Sequence, residues 1–382
     1  MRINVIRGQN QIGGSIIEVA SSDTKIILDL GGNMHENRLR PYVPSISGLF
    51  QGSPAFAGIF ISHYHFDHAG LVKYACRDIP VYMGAAAYSV LKAEADAKGK
   101  ILPFTPNLLR PGVPVTLGDL KVTPIACDHS AWGSLMFLIE SRDQSVLYTG
   151  DFRSTGRMDF SGLLTSLPKA DALICEGTTL SRAPGEEYPT EQALEDRIAE
   201  ILTKKSGPGF IYLSPMNPER ILTAARGAAR SGRRFIAGKQ VSAVAKAAGL
   251  EVEIFHRREF LARSASNRPS PDFLMCVSPG LWGSVEKLRN RLSFRDGVFI
   301  FSRREETMVR PAPAMLIANF RRRGVPLEHV HTSGHASPEA LDMLINALGA
   351  RYLIPVHTKN AAWFSRYEQG CDVIFNCRDF EF

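Results

Sequence analysis

Along the first 175 residues, short apolar runs alternate with Gly-, Pro- and Asp-rich breaks, a pattern of many short strands and few helices. Met1–Ile6 reads as a first strand. Further candidates are Ser15–Ala20, Lys25–Asp29, Gly58–Ser62, Val81–Met83, Leu120–Ile125, Leu135–Glu140, Ser145–Thr149 and Ala172–Cys175. One Ala-rich helix is predicted at Ala85–Ala97, ending near Gly99, and a short one at Ala69–Ala75. After Glu176 strands pair with helices: Phe210–Leu213 with Pro218–Ala229, Arg234–Ala237 with Val241–Ala248, Leu274–Val277 with Val285–Leu292, and Val298–Phe301 with Ala314–Arg323. Such alternation implies βα units and a parallel sheet. Near Val330 the first character returns, with a helix Pro338–Leu348 capped by Ser337, a strand Tyr352–Val356 and a last strand Asp372–Asn376. The chain is therefore expected to be α/β, with residues 1–178 and 327–382 forming one domain and 179–326 a second, inserted one with a mainly parallel sheet.

Composition keeps this picture and adds a charge asymmetry. The 382 residues, 45% hydrophobic and 22% charged, suit a globular protein with one large or two medium cores. No apolar run approaches the roughly 18 residues of a membrane span, and the amino terminus lacks the apolar stretch of a signal peptide. The six cysteines are scattered without a CxxC pair, which fits reduced thiols in a cytoplasmic protein. Net charge is +7. Between Thr179 and Pro326 there are 25 Lys/Arg and 15 Asp/Glu, an excess of +10, so the rest of the chain is slightly acidic. That concentration reads either as the footprint of a polyanion-binding lobe or as a solvated basic surface.

The chemistry is concentrated in Ser62-His63-Tyr64-His65-Phe66-Asp67-His68. It follows the apolar run Gly58–Ile61, so a buried strand delivers it to a site. His63 and His65, two apart in extended chain, point to one side and can share a metal ion. Asp67 and His68 fall where the chain turns, and diverge toward a second ion. His129 follows the apolar segment Val122–Ala126, and Asp151 closes Val146–Gly150. Asp29, before the Gly31-Gly32 turn, is either a turn cap or a residue that orients a ligand histidine.

The HxHxDH stretch resembles the signature of the metallo-β-lactamase superfamily, which implies an αββα sandwich. By that resemblance His63, His65 and His129 hold a first ion, Asp67 and His68 a second, and Asp151 bridges them. The ions would be two Zn2+, with Mn2+ as the alternative. Cys175-Glu176-Gly177-Thr178, His331-Thr332-Ser333-Gly334-His335-Ala336-Ser337 and Pro355-Val356-His357-Thr358 resemble the three added motifs of the β-CASP nucleases. Within that branch the chain is most similar to ribonuclease J and the cleavage-and-polyadenylation-type RNA nucleases, over almost its whole length. Thr190-Glu191-Gln192 and Pro215–Arg226 are also similar. The resemblance implies that His357 completes the second ion's ligands, that Asp67, His335 and Glu176 are catalytic, and that Ser333, Gly334 and His335 contact the phosphate. By the same resemblance, a histidine at position 357 favours RNA over DNA.

The expected activity is two-metal hydrolysis of phosphodiester bonds in single-stranded RNA, by 5′ exonucleolytic or endonucleolytic attack. His335, oriented by Glu176, would donate a proton to the leaving 3′ oxygen. Arg220, Arg226, Arg233, Arg234, Lys239, Arg303 and Arg304 are candidate backbone-binding residues, and Tyr212, Phe235 and Trp282 candidate stacking or core aromatics. The run Phe301–Glu306 departs from the Pro/Gly-rich loop of the resembled family. Ribonuclease J chains usually continue into a further domain, so the oligomeric state is open, a homodimer included. The rival readings are a DNA nuclease of the same fold, a small-molecule metallo-hydrolase, and a nucleic-acid-binding protein without catalysis.

Overall fold

The computed structural model describes residues 1–34, 40–183, 185–256, 271–289 and 292–382. Eleven strands come first: β1 (Arg2–Arg7), β2 (Ile16–Ala20), β3 (Lys25–Leu28), β4 (Gly58–Ile61), β5 (Val81–Gly84), β6 (Asn107–Leu109), β7 (Val115–Leu117), β8 (Leu120–Ala126), β9 (Leu135–Ser141), β10 (Gln144–Tyr148) and β11 (Ala172–Glu176). Six more follow: β12 (Gly209–Leu213), β13 (Arg234–Ala237), β14 (Glu253–Ile254), β15 (Phe273–Cys276), β16 (Val298–Ser302) and β17 (Leu327–His329). The chain then returns with β18 (Tyr352–Val356), β19 (Asp372–Val373) and β20 (Phe380–Glu381).

They form three sheets, ordered β20-β1-β2-β3-β4-β5-β6, β19-β18-β11-β10-β9-β8-β7 and β14-β13-β15-β12-β16-β17. The first two pack face to face. Their shared core joins Ile17, Val19 and Phe60 of one sheet to Phe137, Ile139, Val146, Tyr148 and Ile174 of the other. Strand periodicity sends the intervening residues outward, where helices cover them. Ile59 and Ile61 meet Ala87 and Val90 of the helix Ala85–Ala97. On the far side Leu147 and Leu173 meet Phe160 and Leu163 of the helix Phe160–Ser166, and Leu341 and Leu344 of Pro338–Leu348. Strands apolar on both faces are what a four-layer αββα sandwich requires.

Among the described residues the third sheet pairs only in parallel. Ile211, Leu213 and Ile300 face one layer of helices, and Phe210, Tyr212, Phe299 and Phe301 face another. β17 extends this sheet past residue 326. The core under the helix Ala85–Ala97 continues into this region through Val241 and Val244. β18 returns beside β11 in parallel, with Glu176 opposite Val356. That register sets two of the late sequence motifs next to each other at the ends of neighbouring strands. Among the described residues no helix is long and apolar enough to cross a membrane.

Several elements differ from the sequence expectation. The helix expected at Ala69–Ala75 instead begins at Phe66 and ends at Ala69, followed by a single turn at Val72–Tyr74. The backbone N–H groups of Gly32, Ser15 and Leu30 donate to the carbonyls of Phe66, Asp67 and His68, so neighbouring loops capture the acceptors that a longer helix would need. Helices at Phe160–Ser166 and Glu191–Thr203, and the short strands β6 and β7, were not foreseen. The helix expected over Val285–Leu292 spans Trp282–Leu288, and residues 290–291 lie outside the described residues. The last strand is Phe380–Glu381, which closes on β1.

Candidate metal centre

Most of the ligand-type side chains stand at the end of a strand or in the segment after it, while Asp67 and His68 lie on a short helix and His335 in the loop before the helix Pro338–Leu348. β4 is fully buried and delivers His63, itself fully buried. His65 precedes the four-residue helix that carries Asp67 and His68. β8 leads to His129, β10 to Asp151, β11 ends on Glu176, and β18 leads to His357. Three sets of side chains converge: His63, His65, His129 and Asp151; Asp151, Glu176, His335 and His357; and Asp67, His68 and His357. Within each set one ligand atom per residue lies within 4.8 Å of the others. Asp151 belongs to the first two sets and His357 to the last two. Residues up to 294 positions apart in sequence thus share one small volume.

The nitrogens of the first set face one another. His63 Nε2 and His129 Nε2 each lie 3.1 Å from His65 Nδ1. Burial holds His63 and His129 well below the usual imidazole range and His65 down to about 4, so all three are neutral lone-pair donors. In the last set burial opposes charge, yet the carboxylates of Asp151 and Asp29 raise His68, and those of Asp151 and Asp67 raise His357. Burial would likewise raise Asp151, but His357 and His68 hold it well below the ordinary carboxylate range. Asp67 Oδ2 lies 3.3 Å from His357 Nε2.

The donor set fits divalent ions. Asp151 Oδ1 is buried without a hydrogen-bond partner. An orphaned buried acceptor of this kind is costly unless another group satisfies it. Imidazole and carboxylate together suit zinc or manganese.

Outer contacts fix these rings. Asp29, fully buried, accepts from the Ser62 N–H (2.7 Å), Ser62 Oγ (2.8 Å) and Tyr148 OH (2.6 Å), and its Oδ2 is 2.7 Å from His68 Nδ1. Thr178 Oγ1 is 2.7 Å from His357 Nδ1. The Gly334 carbonyl meets His129 Nδ1. Gly334 has no room for a side chain, because a Cβ there would lie 2.3 Å from Ser130 Oγ. Glu176, also fully buried, accepts from the Phe152 N–H (2.9 Å) and Thr178 N–H (3.2 Å), and its Oε2 is 3.1 Å from His335 Nδ1. His335 Nδ1 is 3.6 Å from Asp151 Oδ2, and its side chain stays 19% exposed. Ser333 Oγ accepts from the His335 N–H at 3.0 Å, so it braces that loop.

Arg220 is a correction. Expected to contact substrate, it is 1% exposed and its guanidinium is consumed inside the protein. It donates to Glu191 Oε2 (3.0 Å) and Oε1 (2.8 Å) and to Ser302 Oγ (2.9 Å). Arg233 is buried too, donating to the carbonyls of Gly207 and Leu202. Arg234 pairs with Glu253 and Arg304 with Glu306. Arg303 leans over the Tyr212 ring, 5.6 Å from its centroid. Arg226 and Lys239 are exposed. Tyr212 and Phe235 are core residues, and Trp282 packs edge-on against Phe320.

Sequence reasoning missed Arg153. It is 1% exposed and joins Asp128 (3.3 Å), Glu191 (3.0 Å) and the Glu219 carboxylate, besides donating to the Ser333 carbonyl at 3.4 Å. Its place two residues after Asp151 was the available signal.

Residues 25–206 match the Beta-lactamase superfamily domain. Ribonuclease J2 of Bacillus subtilis is 23% identical, over 94% of this chain and 69% of that protein. Ribonuclease J of Helicobacter pylori is 20% identical, over 94% of this chain and 56% of that protein. The chain thus spans little more than half the length of some relatives that it matches. A crystal structure of a protein of unknown function from Enterococcus faecalis superposes with a TM-score of 0.74 at 19% identity, covering 98% of this chain and 97% of that one.

Proposed function

We propose that this chain, whose residues 25–206 match the Beta-lactamase superfamily domain, is a two-metal phosphodiesterase of the ribonuclease J kind, acting on single-stranded RNA. One observation carries the reading: Asp151 stands between two ligand sets, and the Glu176–His335 pair adjoins it. A small-molecule hydrolase has no need of that pair. The relatives named ribonuclease J support RNA as the substrate.

His63, His65 and His129 would hold one ion, and Asp67, His68 and His357 a second, with Asp151 between them. Zinc suits the donors best. Bound there, such ions supply Lewis-acid polarisation of phosphoryl oxygens and water acidic enough to attack near neutral pH. The protein's own groups do the rest. Glu176 faces His335 Nδ1 and fixes the ring, leaving Nε2 toward the partly exposed side. From there His335 hands a proton to the leaving 3′ oxygen. Burial of the remaining ligands keeps competing water away. We take residues 179–326 as an inserted lobe whose excess positive charge draws the strand toward the centre.

The test uses metal-loaded protein with end-labelled RNA and DNA oligonucleotides of the same sequence in parallel. Cleavage of RNA faster than DNA, abolished by chelation and restored by zinc or manganese, is expected. Faster DNA cleavage would reverse the substrate assignment, and fewer than two bound ions would remove the mechanism. Mononucleotide products from the 5′ end, against internal fragments, decide the mode of attack.

A further inference from the structure

Beside the ligand cluster lies a cavity of about 490 Å³ that the mechanism leaves unused. Its volume is within the roughly 300–1,000 Å³ of small-molecule sites. Of the mechanism's residues only His129 lines it. The floor is formed where Ala85 and Ala86, at the start of a helix, meet the loop Ala131–Leu135. Gly133 lets the two touch: it has φ +72°, and a Cβ there would lie 2.7 Å from that of Ala86. Trp132, half-buried, and Met158, 40% exposed, supply larger apolar walls. At the rim stands Arg110, exposed and forming no ion pair with another described residue.

We propose that this cavity is a nucleobase subsite, holding the base of a nucleotide that flanks the phosphodiester at Asp151. The proposal rests on the nuclease reading above and extends it. An apolar floor rejects a phosphate but accepts a planar ring. The indole of Trp132 and the thioether of Met158 are the surfaces on which a base stacks with little regard to its identity. Arg110 complements the phosphate that ties such a base to the strand. His129 belongs to both the cavity and the ligand cluster, so one side chain separates the seated base from the reacting linkage. A strand gripped at this position is held in register for attack, which a backbone-only channel does not achieve.

Two measurements on the metal-loaded protein test this. The first is kcat/KM for RNA oligonucleotides in which a single abasic residue is stepped along the strand. In the wild type one position should lower kcat/KM by about tenfold, the size of a lost base–aromatic stack. Trp132→Ala and Met158→Ala should each lower kcat/KM for the intact strand, and the abasic penalty at that position should shrink or vanish in both. Met158 is exposed enough that its truncation leaves the core intact, so one variant remains informative if Trp132→Ala is unstable. Full, multiplicative penalties at every position in folded variants would overturn the subsite while leaving the nuclease standing. The second is quenching of tryptophan fluorescence by adenosine, which has no phosphate for the ligand cluster to hold. Quenching in the wild type and its loss in Trp132→Phe are expected, and equal quenching in both would overturn the proposal. Trp132-dependent quenching without any strand cleavage would remove the nuclease reading and leave the base site.

Discussion

At the scale of single residues, Asp29 shows how the centre is held. Its carboxylate faces the Ser62 amide and hydroxyl, the Tyr148 hydroxyl and His68 Nδ1 at once. His68 therefore has its Nδ1 edge fixed and its Nε2 edge turned to Asp151, 3.2 Å away. Losing such an outer partner typically costs 10–100-fold in metal affinity. Asp29→Ala is expected to retain one ion per chain after dialysis where the wild type retains two, since the His63–His65–His129 set keeps its own contacts. Metal analysis of the two proteins checks this, and equal content would show that packing alone orients His68. Glu176 acts on the other side of the centre. Glu176→Gln preserves an acceptor for the Phe152 amide but removes the charge beside His335. The expected outcome is a fall in kcat of about 10²–10⁴-fold with metal content unchanged, the range typical of a disabled general acid. A parallel loss of metal would instead make Glu176 a ligand.

At the scale of elements, the helix Glu191–Thr203 packs beside Pro218–Arg230, and a buried ion network crosses between them. Glu191 accepts from Arg220, from Arg153 and from Thr223. Burial alone would raise the Glu191 carboxyl, but Arg220 and then Arg153 hold it below its ordinary range. Its folded-state value is thus lower than its unfolded value of about 4.3. The stability it contributes is fully present above that value and is lost as pH falls through the lower, folded one. Removing one partner of a buried pair costs about 3–5 kcal/mol. Glu191→Gln should melt well below the wild type at pH 7, with the gap narrowing as the pH is brought toward 3. A gap independent of pH would mean that the pair is not ionised. The same network shows what the sequence could and could not tell. Ala85–Ala97, Arg234–Ala237, Pro338–Leu348 and Tyr352–Val356 were legible because composition, caps and strand apolarity agree there. The positions of His63, His129, Asp151 and His357, which the structure brings together, were legible because apolar runs end shortly before them. The helix Glu191–Thr203 was not, because its inward face carries Glu191 and Glu195, which read as solvent-facing until their arginine partners are known. Arg220 misled for the converse reason: whether an arginine meets solvent or a buried carboxylate depends on a partner 29 residues away.

At the scale of the whole molecule, basic side chains among the described residues of 179–326 fall into two populations. Arg220 and Arg233 are spent on internal carboxylates and carbonyls, and Arg230, Arg234 and Arg304 on surface ion pairs. Arg226 and Lys239 are exposed and form no ion pair with another described residue, so they retain a full charge for a polyanion. Each phosphate neutralised by such a group adds about −0.7 to the slope of log K against log salt for a single strand. Binding of RNA to Arg226→Gln and Lys239→Gln should therefore weaken at low salt and converge on the wild type as salt rises, with the slope shallower by about that amount for each residue that contacts the strand. Arg220→Met gives the contrast: its stability falls because Glu191 is left unpaired, while the salt slope of whatever folded fraction binds stays at the wild-type value. Anisotropy titrations from about 50 to 200 mM salt separate these outcomes. An unchanged slope in both surface variants would place the strand away from this face, and a slope altered only by Arg220→Met would reverse the division between buried and available charge.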